Sequence, residues 1–340
     1  MAAILPVLFL LGIDPATPAH RWQQQTSGSA ADFRGLSVVN DRVAWVSGTR
    51  GTFGRTIDGG KTWTCGTVPD AEKLDFRDIE AFSEATAYLL SAGPGDASRI
   101  YKTNDGGKTW SLQFKNPEPK AFFDAMAFWD EKSGIALSDP VDGHFRLVIT
   151  EDGGTNWKPL SGNSLPKALT DEGAFAASGA CLVAHGRSEV WFCTGGARAT
   201  RVFHSNDRGR TWSVSETPIM AGVASAGAFS IAFRDGKNGI IVGGDYRKPN
   251  ETGATAAITT DAGKTWQAVE KALPFRSCAA WCKDRWIVVG TSGSDYSGDD
   301  GRTWKPLDRE NYNSVRFTEA GEGWAVGPMG RIARLVKADK

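Results

Sequence analysis

Asp78, Asp124, Asp139 and Glu172 are four carboxylates in a chain of 340 residues. Two carboxyl groups facing each other across a sugar can hydrolyse its glycosidic bond, one as acid and the other as base or nucleophile. Nearby stretches and those that follow carry Arg34, Arg77, Arg198, Asp245 and Tyr246. Brought together on one concave surface, these groups would orient a polar ligand. Other chemistry is missing its signatures. There is no G-x-S-x-G elbow and no dinucleotide fingerprint, and "SAGPGD" lacks the Lys-Ser/Thr that phosphate binding needs. The four histidines are scattered and no Cys/His cluster has zinc spacing, so neither a metal nor a cofactor is expected.

What positions those residues is a repeat. "TIDGGKTW" ends at Trp63, "TNDGGKTW" at Trp110, "TEDGGTNW" at Trp157, "SNDRGRTW" at Trp212, "TTDAGKTW" at Trp266 and "SGDDGRTW" at Trp304. The closing tryptophans are spaced by 47, 47, 55, 54 and 38 residues, periods that suit a blade of four short antiparallel strands. Blade two reads "FRDIEAF", "ATAYLLSAG", "RIYKT", the eight-residue box, then "WSLQF". Within a box the opening Ser or Thr and the Asp two places on (Asp58, Asp105, Asp152, Asp207, Asp261, Asp299) can bond turn amides. The conserved-in-place Gly supplies a left-handed backbone and the Trp buries its ring. The boxes are therefore read as structural hairpins between third and fourth strands.

After Trp304 a last unit supplies three strands and no box, while Trp22 in "HRWQQQTSG" resembles the strand that follows every box. The expected fold is all-β, a seven-bladed propeller whose ring is closed by the N-terminal strand. The box and the turn between strands one and two share one face. Loops entering strand one and leaving strand two open on the other face, around the channel. Arg34, Arg77, Asp78, Asp124 and Glu172 fall in the first group and Asp139, Arg198, Asp245 and Tyr246 in the second.

The boxes resemble the Asp-box, or bacterial neuraminidase repeat. With seven blades they resemble the propellers of the photosystem II stability/assembly factor-like family and its bacterial relatives, over roughly residues 20–337. The same box occurs in sialidases, xyloglucanases and sorting receptors. The resemblance implies a fold and leaves the function to the site. A sialidase would carry three arginines, a Tyr–Glu pair and an N-terminal Arg-Ile-Pro motif, which is absent here. Xyloglucanases of this kind use two tandem propellers, and this sequence supplies one. The reading that follows is a non-catalytic binding or assembly propeller holding a protein or glycan on its funnel face. The alternative is a glycoside hydrolase using Asp78, Asp124, Asp139 or Glu172.

Bulk properties narrow the partners. Lys plus Arg equals Asp plus Glu at 39 each, so no overall field draws nucleic acid or an anionic membrane. Ala2 to Ile13 is apolar, too short for a membrane span and right for the centre of a signal peptide, although a basic start is missing. Residues 1–19 are expected to be such a signal, cleaved after Ala19, with 20–340 a single propeller that is monomeric and periplasmic or secreted. Five cysteines cannot all pair. Cys181 and Cys193 flank one hairpin turn and could bond in an oxidising compartment. Cys278 and Cys282 lie roughly 13 Å apart along a strand, too far to bond.

Overall fold

The computed structural model describes residues 20–160, 165–270 and 273–338. The expected signal segment, residues 1–19, lies outside the described residues. Seven antiparallel sheets of four strands each form the ring. Six blades take four consecutive strands, and the seventh takes three from the C-terminus and one from the N-terminus. First strands ring the channel: Phe33–Val38, Phe76–Ala81, Phe123–Phe128, Leu182–His185, Ala226–Phe233, Cys278–Cys282 and Ser314–Phe317 in blades one to seven. Among the described residues the only helical element is a single turn, Gly95–Ala97.

Closure occurs as the sequence predicts. His20–Gln25 pairs antiparallel with Ile332–Lys337, from His20 opposite Lys337 to Gln25 opposite Ile332. Trp22 is buried, stacks on Phe317 and donates from Nε1 to Ser294 Oγ at 3.0 Å. Gln25 Oε1 accepts from Trp63 of blade one at 2.9 Å and from Trp324 of blade seven at 3.0 Å. The N-terminal strand thus fills a sheet edge and joins the first blade to the last, removing an exposed edge.

Neighbouring blades are tied by aromatic residues on their second strands. Trp45, Tyr88, Trp191, Trp286 and Trp324 are almost wholly buried. Trp45 donates to the Ser83 carbonyl of blade two at 3.0 Å, Tyr88 to Gly153 of blade three at 2.7 Å and Trp191 to Ala262 of blade five at 2.8 Å. Each of these three rings fills space between two sheets while its polar edge satisfies a turn of the next blade.

All six boxes share one hydrogen-bond scheme. In the first, Gly60 N donates to Thr56 Oγ1 at 2.8 Å, Thr62 N to Asp58 Oδ1 at 2.9 Å and Thr62 Oγ1 to Asp58 Oδ2 at 2.6 Å. Asp207 in blade four makes the same bonds with Thr211, and Asp299 in blade six with Thr303. Two successive residues have positive φ, such as Arg208 at 60° and Gly209 at 83°. These bonds hold Asp58 and Asp105 at a pKa of about 2, the hydroxyls of Thr62 and Thr109 contributing most. Spent on their own turns, the aspartates are the scaffold of the hairpins.

Candidate functional site: the funnel cavity

First strands do more than pair. In blades one, two, three and five the register with the second strand slips by one residue, at Phe33/Gly35, Phe76/Asp78, Phe123/Ala125 and Ala228/Ser230. The residue left out of register is Arg34, Arg77, Asp124 or Phe229. A bulge frees one residue from the ladder and re-aims its side chain, here at the channel. Arg34, Arg77 and Phe229 line one cavity of about 440 Å³ on the face opposite the boxes.

The floor of that cavity comes from blade four. Its entering segment, Gly173 to Ala180, crosses the channel instead of running directly into the first strand. Arg77 Nη1 donates to the Ala176 carbonyl at 3.0 Å and Arg34 Nη1 to Ala177 at 3.4 Å. Ile231 N of blade five donates to Ala180 O at 2.9 Å, and Ala174 N donates to Asp139 Oδ1 of blade three at 2.8 Å. Phe175 stacks on Phe229 with centroids 3.8 Å apart and planes 9° apart. This plug touches blades one, two, three and five, and it separates the funnel from a second cavity at the box end.

The funnel is cationic at one side and aromatic at the other. Phe175, Phe229, Phe275 and Tyr246 make the aromatic wall, with Phe229 edge-on to Phe275 at 4.9 Å. Arg77 Nε is paired with Asp75 at 2.8 Å, whereas Arg34 Nε is buried without a hydrogen-bond partner among the described residues. Burial, with Arg77 close by, lowers the pKa of Arg34 from its ordinary value. An anionic group in the cavity would relieve both effects.

The carboxylates singled out from the sequence do not line this cavity. Asp78 is buried, accepting from Ile79 N at 2.8 Å and Met126 N at 2.7 Å, and burial pushes its pKa up to about 7. Asp124 is buried with Oδ2 unpartnered; burial and the charge of Asp139 raise it well above the usual carboxylate range. Burial raises Asp139 to about 6 while it holds the plug amide. Glu172 is bound within blade four, taking Nε and Nη2 of Arg201, the Thr194 hydroxyl at 2.6 Å and the Leu169 amide at 2.8 Å.

Of the remaining expected residues, Tyr246 joins the cavity, while Arg198 is an exposed partner of Glu216 at 3.5 Å. Asp245 receives the Arg247 amide at 3.0 Å and caps a turn. Sequence reasoning missed Phe175, Phe229 and Phe275, having no ground to separate them from core phenylalanines. A usable signal was present for one of them. Phe229 occupies the place of Arg34 and Arg77 in "AFSIAF", "FRGLS" and "FRDIE".

The possible disulfide is not formed: Cys181 and Cys193 are both free and buried. They do sit opposite each other, with Cys193 N donating to Cys181 O at 2.9 Å, but Cys193 Sγ is directed toward the Ala228 carbonyl at 3.6 Å. Among the described residues no group of three or more His, Cys, Asp or Glu could hold a metal ion. No described helix is long and apolar enough to cross a membrane.

No protein-family model matches the sequence, and no characterised protein matches it in sequence. Solved structures do match in shape. The fold is a shared one. YCF48 bound to D1 peptide aligns with a TM-score of 0.67 at 16% identity, covering 93% of this chain and 97% of that one. YCF48 from Cyanidioschyzon merolae aligns at 0.64 with 16% identity, over 92% and 98% of the two chains. A streptogramin B lyase aligns at 0.65 with 13% identity, over 94% and 98%. Binding proteins and an enzyme stand side by side here, so the likeness establishes the propeller and leaves the activity to the site.

Proposed function

We propose that this chain is an exported, monomeric, non-catalytic binding propeller that holds a protein segment in its funnel. The observation that carries this reading is the composition of the cavity: two arginines facing four aromatic rings, with every candidate carboxylate withdrawn into internal hydrogen bonds or beneath the plug. Such a surface suits an extended segment with an acidic group beside an apolar side chain. The similar fold of YCF48 bound to a D1 peptide supports a peptide occupant in preference to a glycan. The apolar opening of the sequence supports export.

The test uses fluorescent pentapeptides carrying one Asp next to one Leu, compared with Asn and Lys counterparts. The Asp peptide should bind best, and Arg34→Gln and Arg77→Gln should each weaken it by about tenfold, roughly 1.4 kcal/mol. The same protein should show no turnover of aryl sialosides or aryl glucosides above a heat-killed control. Equal binding of all three peptides would refute the acidic preference. Turnover that disappears in Asp124→Asn or Asp139→Asn would replace the binding reading with the hydrolase one.

A further inference from the structure

The other end of the channel holds a second cavity of about 400 Å³ on the box face, below the plug. One register position of the first strands builds it. Opposite Trp45, Tyr88, Ile135, Trp191, Ile240, Trp286 and Trp324 on the second strands stand Ser37, Glu80, Ala127, Val183, Ala232, Trp281 and Arg316. All of these first-strand residues except Ser37 line the cavity. Around the ring they divide in two. Arg316, Ser37 and Glu80 are contiguous, in blades seven, one and two. Ala127, Val183, Ala232 and Trp281 are contiguous, in blades three to six. The layer therefore has one polar arc with a charge at each end and one apolar arc closed by an indole.

Charge within the polar arc does not balance. Two carboxylates, Asp78 and Glu80, act on the single guanidinium of Arg316, and no ion pair within 4.0 Å joins Glu80 to a cation among the described residues. Arg316 Nη1 is committed to Cys278 Sγ at 3.0 Å and the Val315 carbonyl at 3.0 Å. Asp78 is committed to the two amides described above, and the Glu80 carboxylate has no hydrogen bond among the described residues. It is half-buried, on the cavity wall. One positive charge is missing from the cluster, and the place for it is beside Glu80.

We propose that this cavity is a binding site for a small organic ammonium ion, a primary amine on a short branched apolar body. The ammonium sits on the Glu80 carboxylate and the apolar body on Ala127, Val183, Ala232 and Trp281, whose ring Arg234 already covers at 5.7 Å. In the empty site a proton takes the place of the ligand charge. Burial, then the charge of Asp78, raises Glu80 to about 8, Arg316 opposing. Binding near neutral pH therefore expels that proton. The other titratable groups facing the cavity are His185, Arg234 and Glu319 at its mouth and Asp78 and Cys278 above it.

Isothermal titration of the intact protein with 3-methylbutylamine tests this, run at pH 7 in two buffers of different ionisation heat. Saturable binding with proton release at pH 7 is expected, the release fading above about pH 9 as Glu80 loses its proton unaided. The neutral isostere 3-methylbutanol should bind at least about tenfold more weakly. Glu80→Gln should lose that preference and the proton release, and Val183→Phe should abolish binding by filling the apolar arc. A folded wild type that binds no amine overturns the proposal, as does binding unchanged in both variants. Leucine binding more tightly than 3-methylbutylamine also overturns it, since its carboxylate would then be held by Arg316 or Arg234 instead of being repelled by Glu80. The funnel peptides report separately on the other cavity, so each reading can fail alone.

Discussion

Replacing Gly179 with alanine tests whether the plug holds the channel as described. Gly179 has φ of +72°, and a Cβ there would fall 2.1 Å from Asp78 Oδ1. Gly28 has φ of +70° with nothing within 4 Å of its Cβ position, so it is a matched control. Both substitutions force a left-handed alanine, costing about 1–2 kcal/mol. Only Gly179→Ala must also push the Asp78 carboxyl off the Ile79 and Met126 amides, and each buried amide left unbonded costs about 1–3 kcal/mol. The totals are about 3–8 kcal/mol for Gly179→Ala and about 1–2 kcal/mol for Gly28→Ala. At about 2.1 cal/mol/K per residue over roughly 320 residues, 1 kcal/mol moves the melting temperature by roughly 1.5 °C. Scanning calorimetry should therefore show falls of roughly 4–12 °C and 1–3 °C respectively. Shortening the clashing side chain by Asp78→Ser in the Gly179→Ala background should recover part of the difference. Identical melting temperatures for the two glycine variants would refute the close seating of the plug on Asp78.

Two more outcomes follow from the same bonds. Trp22→Ala should cost about 3–5 kcal/mol, a drop of roughly 5–8 °C, because it strips a buried ring from the closing strand; melting unchanged from wild type would mean that the N-terminal strand does not close the ring. Stability should fall as pH rises from about 5 to 8. Asp139, Asp78 and Glu80, at about 6, 7 and 8, hold protons in the folded state that the unfolded chain releases near 4. His20, kept below its ordinary value by burial, opposes this weakly. Below about pH 4 the sign reverses, since Asp58 and Asp105 stay ionised to about 2 and their turns weaken only as they protonate. Melting temperatures recorded from pH 3 to 9 check both limbs, and Glu80→Gln should flatten the upper one; a flat profile in the wild type would contradict the burial of these carboxyls.

The ring was legible in the sequence because it repeats. A box every 38 to 55 residues marks the same strand junction six times, and Trp22 matched the strand missing from the last blade. The face carrying the funnel followed from strand direction alone. What each funnel residue does was harder to read. Arg34 and Arg77 reach the cavity because a bulge turns them out of the ladder, and Asp124 at the same register stays buried beneath the plug, so residue type and spacing cannot separate them.

The plug left a trace in the spacing that periodicity treats as noise. The interval from Trp157 to Trp212 is 55 residues, against 47 for the two before it and 54 for the next, and it alone contains "GAFAASGA". Its small side chains let a strand-free segment pass through a channel already lined by seven first strands, and Gly179 can approach Asp78 only because it has no Cβ. Once that segment is in place, Asp78, Asp124 and Asp139 are shut away from the funnel, and their solvation is lost along with their access to a ligand. Raised carboxyl pKa values here are therefore the electrostatic consequence of closing the channel floor. A cluster of perturbed acids in a cleft is often read as catalytic. In this chain the geometry assigns the perturbation to the plug, and the proposed ligand contacts are the arginines and rings above it.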